Sequence, residues 1–128
     1  MLGNANVMPM LPVKDLDAAQ RFYEQQLGLK PLHVEPDVVA TYQSGNSTLN
    51  VYRSEFAGTN KGTAALWEVD DVEGTVKDLK ARGVDFVHYD DMPGVTRDGD
   101  VHHAGPLKIA WLKDPAGNIL SFQNRLAA

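Results

Sequence analysis

The sequence predicts an α+β domain made of two tandem βαβββ units. Three observations predict it: a repeated strand–helix pattern, extended runs after each helix, and a matched turn before the last strand of each half. "VKDLDAAQRFYEQQLG" at 13–28 and "VDDVEGTVKDLKARG" at 69–83 each open with Val, a polar residue, Asp, an aliphatic residue and an acid. Such internal repetition marks a duplicated supersecondary unit. The units run from about 5 to 54 and from about 62 to 125, within a single domain spanning 1–128.

The first strand is "VMPMLPV" (7–13), whose prolines suit a sheet edge. Asp15 is placed to cap the first helix through its carboxylate. Leu16, Ala19, Tyr23 and Leu27 recur at helical spacing, and Gly28 sits where a helix wants a left-handed stop. "KPLHVE", "VVATYQ" and "STLNVYR" then read as strands, with "SGNS" (44–47) as the turn before the last. A polar linker, "SEFAGTNKG" (54–62), leads to the second unit.

That unit opens on the strand "TAALWEV" (63–69). Asp71 caps its helix, Val72, Thr75, Val76 and Leu79 follow the helical period, and Gly83 ends it. "VDFVHY", "LKIAWLK" and "NILSFQN" are the remaining strands. The stretch "DDMPGVTRDGDVHHAGP" (90–106) is expected to be a long irregular loop, a kind of segment that is often functional. Asp114-Pro115-Ala116-Gly117-Asn118 is a tight turn, because Pro presets φ and Gly tolerates positive φ.

Composition narrows the function. A net charge of −5 and the lack of a basic stripe argue against nucleic acid as a partner. There is no cysteine, which removes disulfides, thiolate metal sites and a cysteine nucleophile together. "MLGNANVMPMLPV" lacks a basic region followed by a long apolar run, so no signal peptide is expected. No apolar run is long enough to cross a bilayer. The expected address is the cytoplasm, with no membrane partner.

The pairing of "VKDLDAAQRFYEQQLGL" early with "AWLKDPAGNILSF" late resembles the vicinal oxygen chelate superfamily of glyoxalase I, extradiol dioxygenases, fosfomycin-resistance and bleomycin-resistance proteins. The resemblance covers nearly the whole chain. It implies a mixed sheet curled around a cup, as in the glyoxalase/bleomycin-resistance fold. It also implies four metal-ligand positions in the metal-dependent members: one on the opening strand of each unit and one on its closing strand. Those positions fall on Met8, Asn50, Ala64 and Ser121. A thioether, an amide, a methyl and a hydroxyl bring no charge to a divalent cation, which wants imidazole and carboxylate. The expectation is therefore a cup without metal and without a cofactor.

Strand alternation puts Met8, Met10 and Pro12 on one face, Thr48, Asn50 and Tyr52 on another, Ala64 with Leu66 and Glu68, and Ile119 with Ser121 and Gln123. Together they read as an apolar pocket with a few polar groups, the usual make-up of a small-molecule site. Glu68, beside Trp67, is a weak candidate for a partly buried general base, or else a solvated carboxylate near a strand end. His102 and His103 invite a metal reading, but adjacent strand residues face opposite ways, so at most one serves a given site. Arg97, in the long loop, would pair with a ligand anion or sit in a solvated turn, and His102 would help this loop cover the mouth. Trp67 and Trp111 read as core or cup-wall aromatics. His33 and His88 fall on outer faces.

Three functions stay open. The first is a small-molecule-binding protein of the glyoxalase/bleomycin-resistance type with a metal-free cup, whose partner is a small organic molecule. The second is a lyase, isomerase or dioxygenase with non-standard metal ligands such as Glu68 and His102 or His103. The third is an interaction module. A homodimer is expected in each case, because a chain this short leaves sheet edges open.

Overall fold

The computed structural model describes residues 1–125, so the last three residues of the predicted domain, 126–128, lie outside the described residues. The first unit runs β1 (Met10–Val13), α1 (Leu16–Arg21, continued as a π-helical turn over Phe22–Gln26), β2 (Lys30–Glu35), β3 (Val39–Ser44) and β4 (Ser47–Arg53). The second runs β5 (Thr63–Val69), α2 (Val72–Ala81), β6 (Phe86–Val87), β7 (Thr96–Asp98), β8 (Val101–Ala104), β9 (Leu107–Lys113) and β10 (Ile119–Asn124). This is the mixed α+β architecture expected, arranged as two sheets.

The sheets repeat one plan. One has the order β1-β4-β3-β2, the other β5-β10-β9-β8-β7, with β6 also paired to β9. In each, the opening strand lies parallel to the closing strand: Met10 opposite Asn50 in one, Leu66 opposite Ser121 in the other. Both helices begin as their sequences dictate. Asp15 accepts the Ala18 N–H and Asp71 accepts the Gly74 N–H, each supplying a partner to an orphan donor of the first turn. Gly28 and Gly83 carry the positive φ values that follow the helices.

Two expectations are corrected. The opening strand begins at Met10, not at residue 7; Met8 precedes it, although the Pro9 carbonyl still accepts the Asn50 N–H. The stretch 90–106 is not an irregular loop, because it contains the hairpin β7–β8. Gly99-Asp100 is its two-residue connection, and Gly99 takes the positive φ such turns favour. The hairpin lies beside β9 where β8 pairs with it, while β6 keeps only two residues of the expected "VDFVHY" strand.

One core serves both units. Leu11, Val13, Tyr23, Tyr42, Leu49 and Val51 from the first join Val72, Leu112, Leu120 and Phe122 from the second in a continuous buried cluster. Burial of this apolar surface is the main favourable term in folding. Polar bonds fix the register of the units. The Tyr23 hydroxyl donates to Asp114, Asn118 Nδ2 donates to the Pro12 carbonyl at 2.8 Å, and Trp67 Nε1 donates to Ser44 Oγ at 2.8 Å. Among the described residues, no helix is long and apolar enough to cross a membrane.

Candidate functional site

β10 shows how the sequence divides the molecule into two faces. Leu120 and Phe122 enter the core under α2, and alternation turns Ser121 and Gln123 to the opposite face. Register then sets their neighbours. Ser121 lies between Leu66 of β5 and Trp111 of β9; Gln123 lies between Glu68 and Ile109. The second row continues through His102, opposite Ile109, to Arg97, opposite His102. In the first unit Asn50 lies between Met10 and Thr41, and Tyr52 between Pro12 and Val39. Asn50 is buried, and its Oδ1 accepts from the Thr41 hydroxyl.

Between the sheets, a cleft of about 680 Å³ wraps the edge strand β5 where the N-terminal segment and the start of β4 approach it; Val7, Thr48, Ala64, Leu66 and Glu68 line it from this face, and Trp67 borders it from the other. Of the predicted site residues, the cleft therefore gathers Ala64, Leu66 and Glu68. Met8, Met10, Asn50, Tyr52, Ser121, Gln123, His102 and Arg97 do not line it. Met8 and Met10 are about half exposed, and Ser121 is 1% exposed beneath its neighbours.

The chemistry of the individual groups is now specific. Glu68 is exposed, so it lacks the desolvation that would make a buried general base of it. His102 is fully buried, and its Nε2 accepts the Tyr89 backbone N–H at 2.9 Å. That bond leaves the ring proton on Nδ1, which has no hydrogen-bond partner among the described residues. The ring stands edge-on to Trp111 at 4.7 Å between centroids. Burial, with the charges of His88 and Arg97, holds this imidazole below its ordinary value, against the opposing pull of the Ile109 backbone. His103 occupies the other face of β8, as alternation requires. Arg97 is spent within the hairpin region: its Nε donates to Asp90 at 2.7 Å and its Nη1 to the Gly99 carbonyl at 2.8 Å. Asp100, in the hairpin turn, binds Lys80 at 2.8 Å and His88 at 2.7 Å. The segment expected to cover the mouth is thus fastened to α2.

A divalent metal does not fit these residues. The four implied positions offer an exposed thioether, an amide already bonded to Thr41, a methyl and a hydroxyl. Glu68 and His102 are separated by β10 and β9, three strand spacings, or about 14 Å. Among the described residues, no three His, Asp or Glu side chains are grouped to hold a metal ion.

Some neighbours escaped the sequence reading. Ile109 shares the phase of Trp111 in "LKIAWLK", and counting by two would have placed it on this face. Thr41 and Tyr89 reach Asn50 and His102 through strand register and a backbone bond, which sequence periodicity does not encode.

The profile of the Glyoxalase/Bleomycin resistance protein/Dioxygenase superfamily matches residues 6–122. No curated protein matches the sequence closely. Among solved structures, a bleomycin resistance determinant encoded on transposon Tn5 superposes with a TM-score of 0.70 at 18% identity, over 97% of this chain and 100% of the other. An antibiotic binding protein from Streptomyces, TnmS3, superposes with a TM-score of 0.68 at 20% identity, over 98% of this chain and 100% of its own. Lactoylglutathione lyase from Agrobacterium tumefaciens gives a TM-score of 0.68 at 20% identity, over 94% and 93%. At these identities the likeness is one of fold.

Proposed function

The chain belongs to the Glyoxalase/Bleomycin resistance protein/Dioxygenase superfamily, and from that premise we propose that it is a small-molecule-binding protein holding an organic ligand in a metal-free cup. The observation that carries this reading is the donor set: Met8, Asn50, Ala64 and Ser121 bring neither imidazole nor carboxylate to the implied metal positions. The cleft supports it with apolar walls from Val7, Pro9 and Leu66 and one exposed carboxylate, Glu68, as a counter-charge or acceptor. Neighbours in fold include an antibiotic binding protein and a resistance determinant, which is consistent with a binder but does not select one.

On this reading the ligand is largely apolar with a small polar or cationic end. Tyr52 and Gln123 supply polar groups on the same face as the cleft, Asn50 and Ser121 lie buried beneath it, and Met8 and Met10 supply deformable apolar surface nearby. The chain acts as one domain with units at about 5–54 and 62–125, in the cytoplasm, as a homodimer. The exposed apolar surface at Met8, Met10 and Leu66 favours a symmetric partner.

A thermal-shift screen of small organic cations and neutral aromatics identifies a ligand first. Ala64→Trp and Leu66→Glu then alter the cleft wall; Ala64 also packs against the core, so circular dichroism checks that its variant folds. Ser121 is too deeply buried to accept a larger ring. Folded variants that bind the ligand as well as the parent would refute the cleft as its site.

A further inference from the structure

A second cavity lies on the other side of β5, between the two units, with a volume of about 230 Å³. Alternation turns Val69 to this cavity and Leu66 and Glu68 to the cleft, while Trp67, at the sheet edge, borders both. Leu27 and Leu29, which follow α1, close it from the first unit; Leu79 of α2 and Phe122 of β10 close it from the second.

Its chemistry is almost purely apolar. No charged side chain lines it among the described residues. Its two hydroxyls are engaged: Ser44 Oγ accepts from Trp67 Nε1 at 2.8 Å, and Thr75 Oγ1 donates to the Asp71 carbonyl at 2.7 Å. The space opens to solvent, since Leu27, Leu29, Trp67, Val69 and Leu79 are partly exposed, and its volume exceeds the ~150 Å³ that accommodates benzene. The floor is preformed, because Leu112 and Phe122 are fixed in the shared core at 1% and 3% exposure. A charged ligand would lose part of its hydration here with no charged side chain to pair with.

We propose that this inter-unit cavity is a second binding site, adjoining the cleft at Ser44 and Trp67, for a small neutral apolar molecule of one or two rings.

Trp67 borders both spaces, so the test reads residues that line one of them alone: Leu79 and Val69 for the cavity, Leu66 for the cleft. Toluene titrated into the isotope-labelled full chain should shift the Leu79 and Val69 methyls saturably, at one equivalent, and leave the Leu66 methyls in place. Benzoate, a similar ring bearing a charge, should shift none of them. Leu79→Trp should fill the space and weaken toluene binding at least tenfold. Movement of the Leu66 methyls in place of those of Leu79 and Val69, no saturable shift at Leu79 and Val69, or undiminished binding by folded Leu79→Trp would each overturn the proposal. If Leu79→Trp fails to fold, the contrast between the Leu79 and Leu66 methyls in the parent decides alone.

Discussion

The hydroxyl of Tyr23 donates to Asp114 Oδ2 at 2.8 Å across a sequence separation of 91 residues, and both groups are buried. Asp114 Oδ1 also accepts the N–H groups of Ala116 at 2.9 Å and Asn118 at 2.8 Å. One carboxylate thus shapes the turn before β10 and locks it to α1. Tyr23→Phe removes a buried bond to a charged acceptor, and we expect a loss of about 2 kcal/mol in unfolding free energy. Urea denaturation measures it; an unchanged midpoint would show that the bond adds nothing.

Burial, and then the Asp114 carboxylate, push the Tyr23 phenol above its ordinary value; burial and the bond to Glu24 push Tyr42 the same way. A tyrosine in the unfolded chain ionises near pH 10, while these two keep their protons in the fold. Their contribution is therefore complete below about pH 10 and declines as the pH rises beyond it. The urea midpoint should fall between about pH 10 and 11, and less steeply in Tyr23→Phe. Parallel curves for parent and variant would count against this origin.

Gly58 has a φ of +82°, and a Cβ there would stand 2.8 Å from the Ala116 carbonyl oxygen. The linker can meet the Asp114 turn this closely only without a side chain. Gly58→Ala should cost about 2 kcal/mol through strain and contact together. A loss under about 0.5 kcal/mol would mean that the linker simply moves aside.

Elemental analysis of protein purified without chelator should find well under one Zn, Ni, Mn or Fe per chain. The reason is the donor set, which leaves a divalent cation poorly compensated for its lost water. A stoichiometric metal that survives chelator would require ligands other than the four implied positions.

Sedimentation at micromolar concentration should give about twice the 14.0 kDa chain mass. Among the described residues, β1 and β5 each keep one unpaired edge, and exposed Met10 and Leu66 lie on those strands. A monomer across that range would remove the homodimer from the proposed function.

Helices, caps and closing strands were legible because each leaves a local mark. Asp15 and Asp71 stand where a cap must, and "NILSFQN" keeps its alternation through to the core. The β7–β8 hairpin was missed although Gly99-Asp100 marks its turn, because its strands have three and four residues, too few to show a period. The metal positions could be placed by motif spacing alone. The partition of site residues between cleft and buried sheet surface could not, since it follows from how the sheets meet, which no single segment records.

β10, an interior strand of the second sheet, follows β5 to β9 in the chain. While the chain grows from its N-terminus, β5 has no hydrogen-bonding neighbour until β10 arrives, and Tyr23 waits for Asp114. A nascent chain halted after β9 would carry an unpaired β5 and an uncovered first-unit core into the cell. Such a chain is a natural client for chaperones, and premature termination near β10 should yield aggregation in place of a half-active protein.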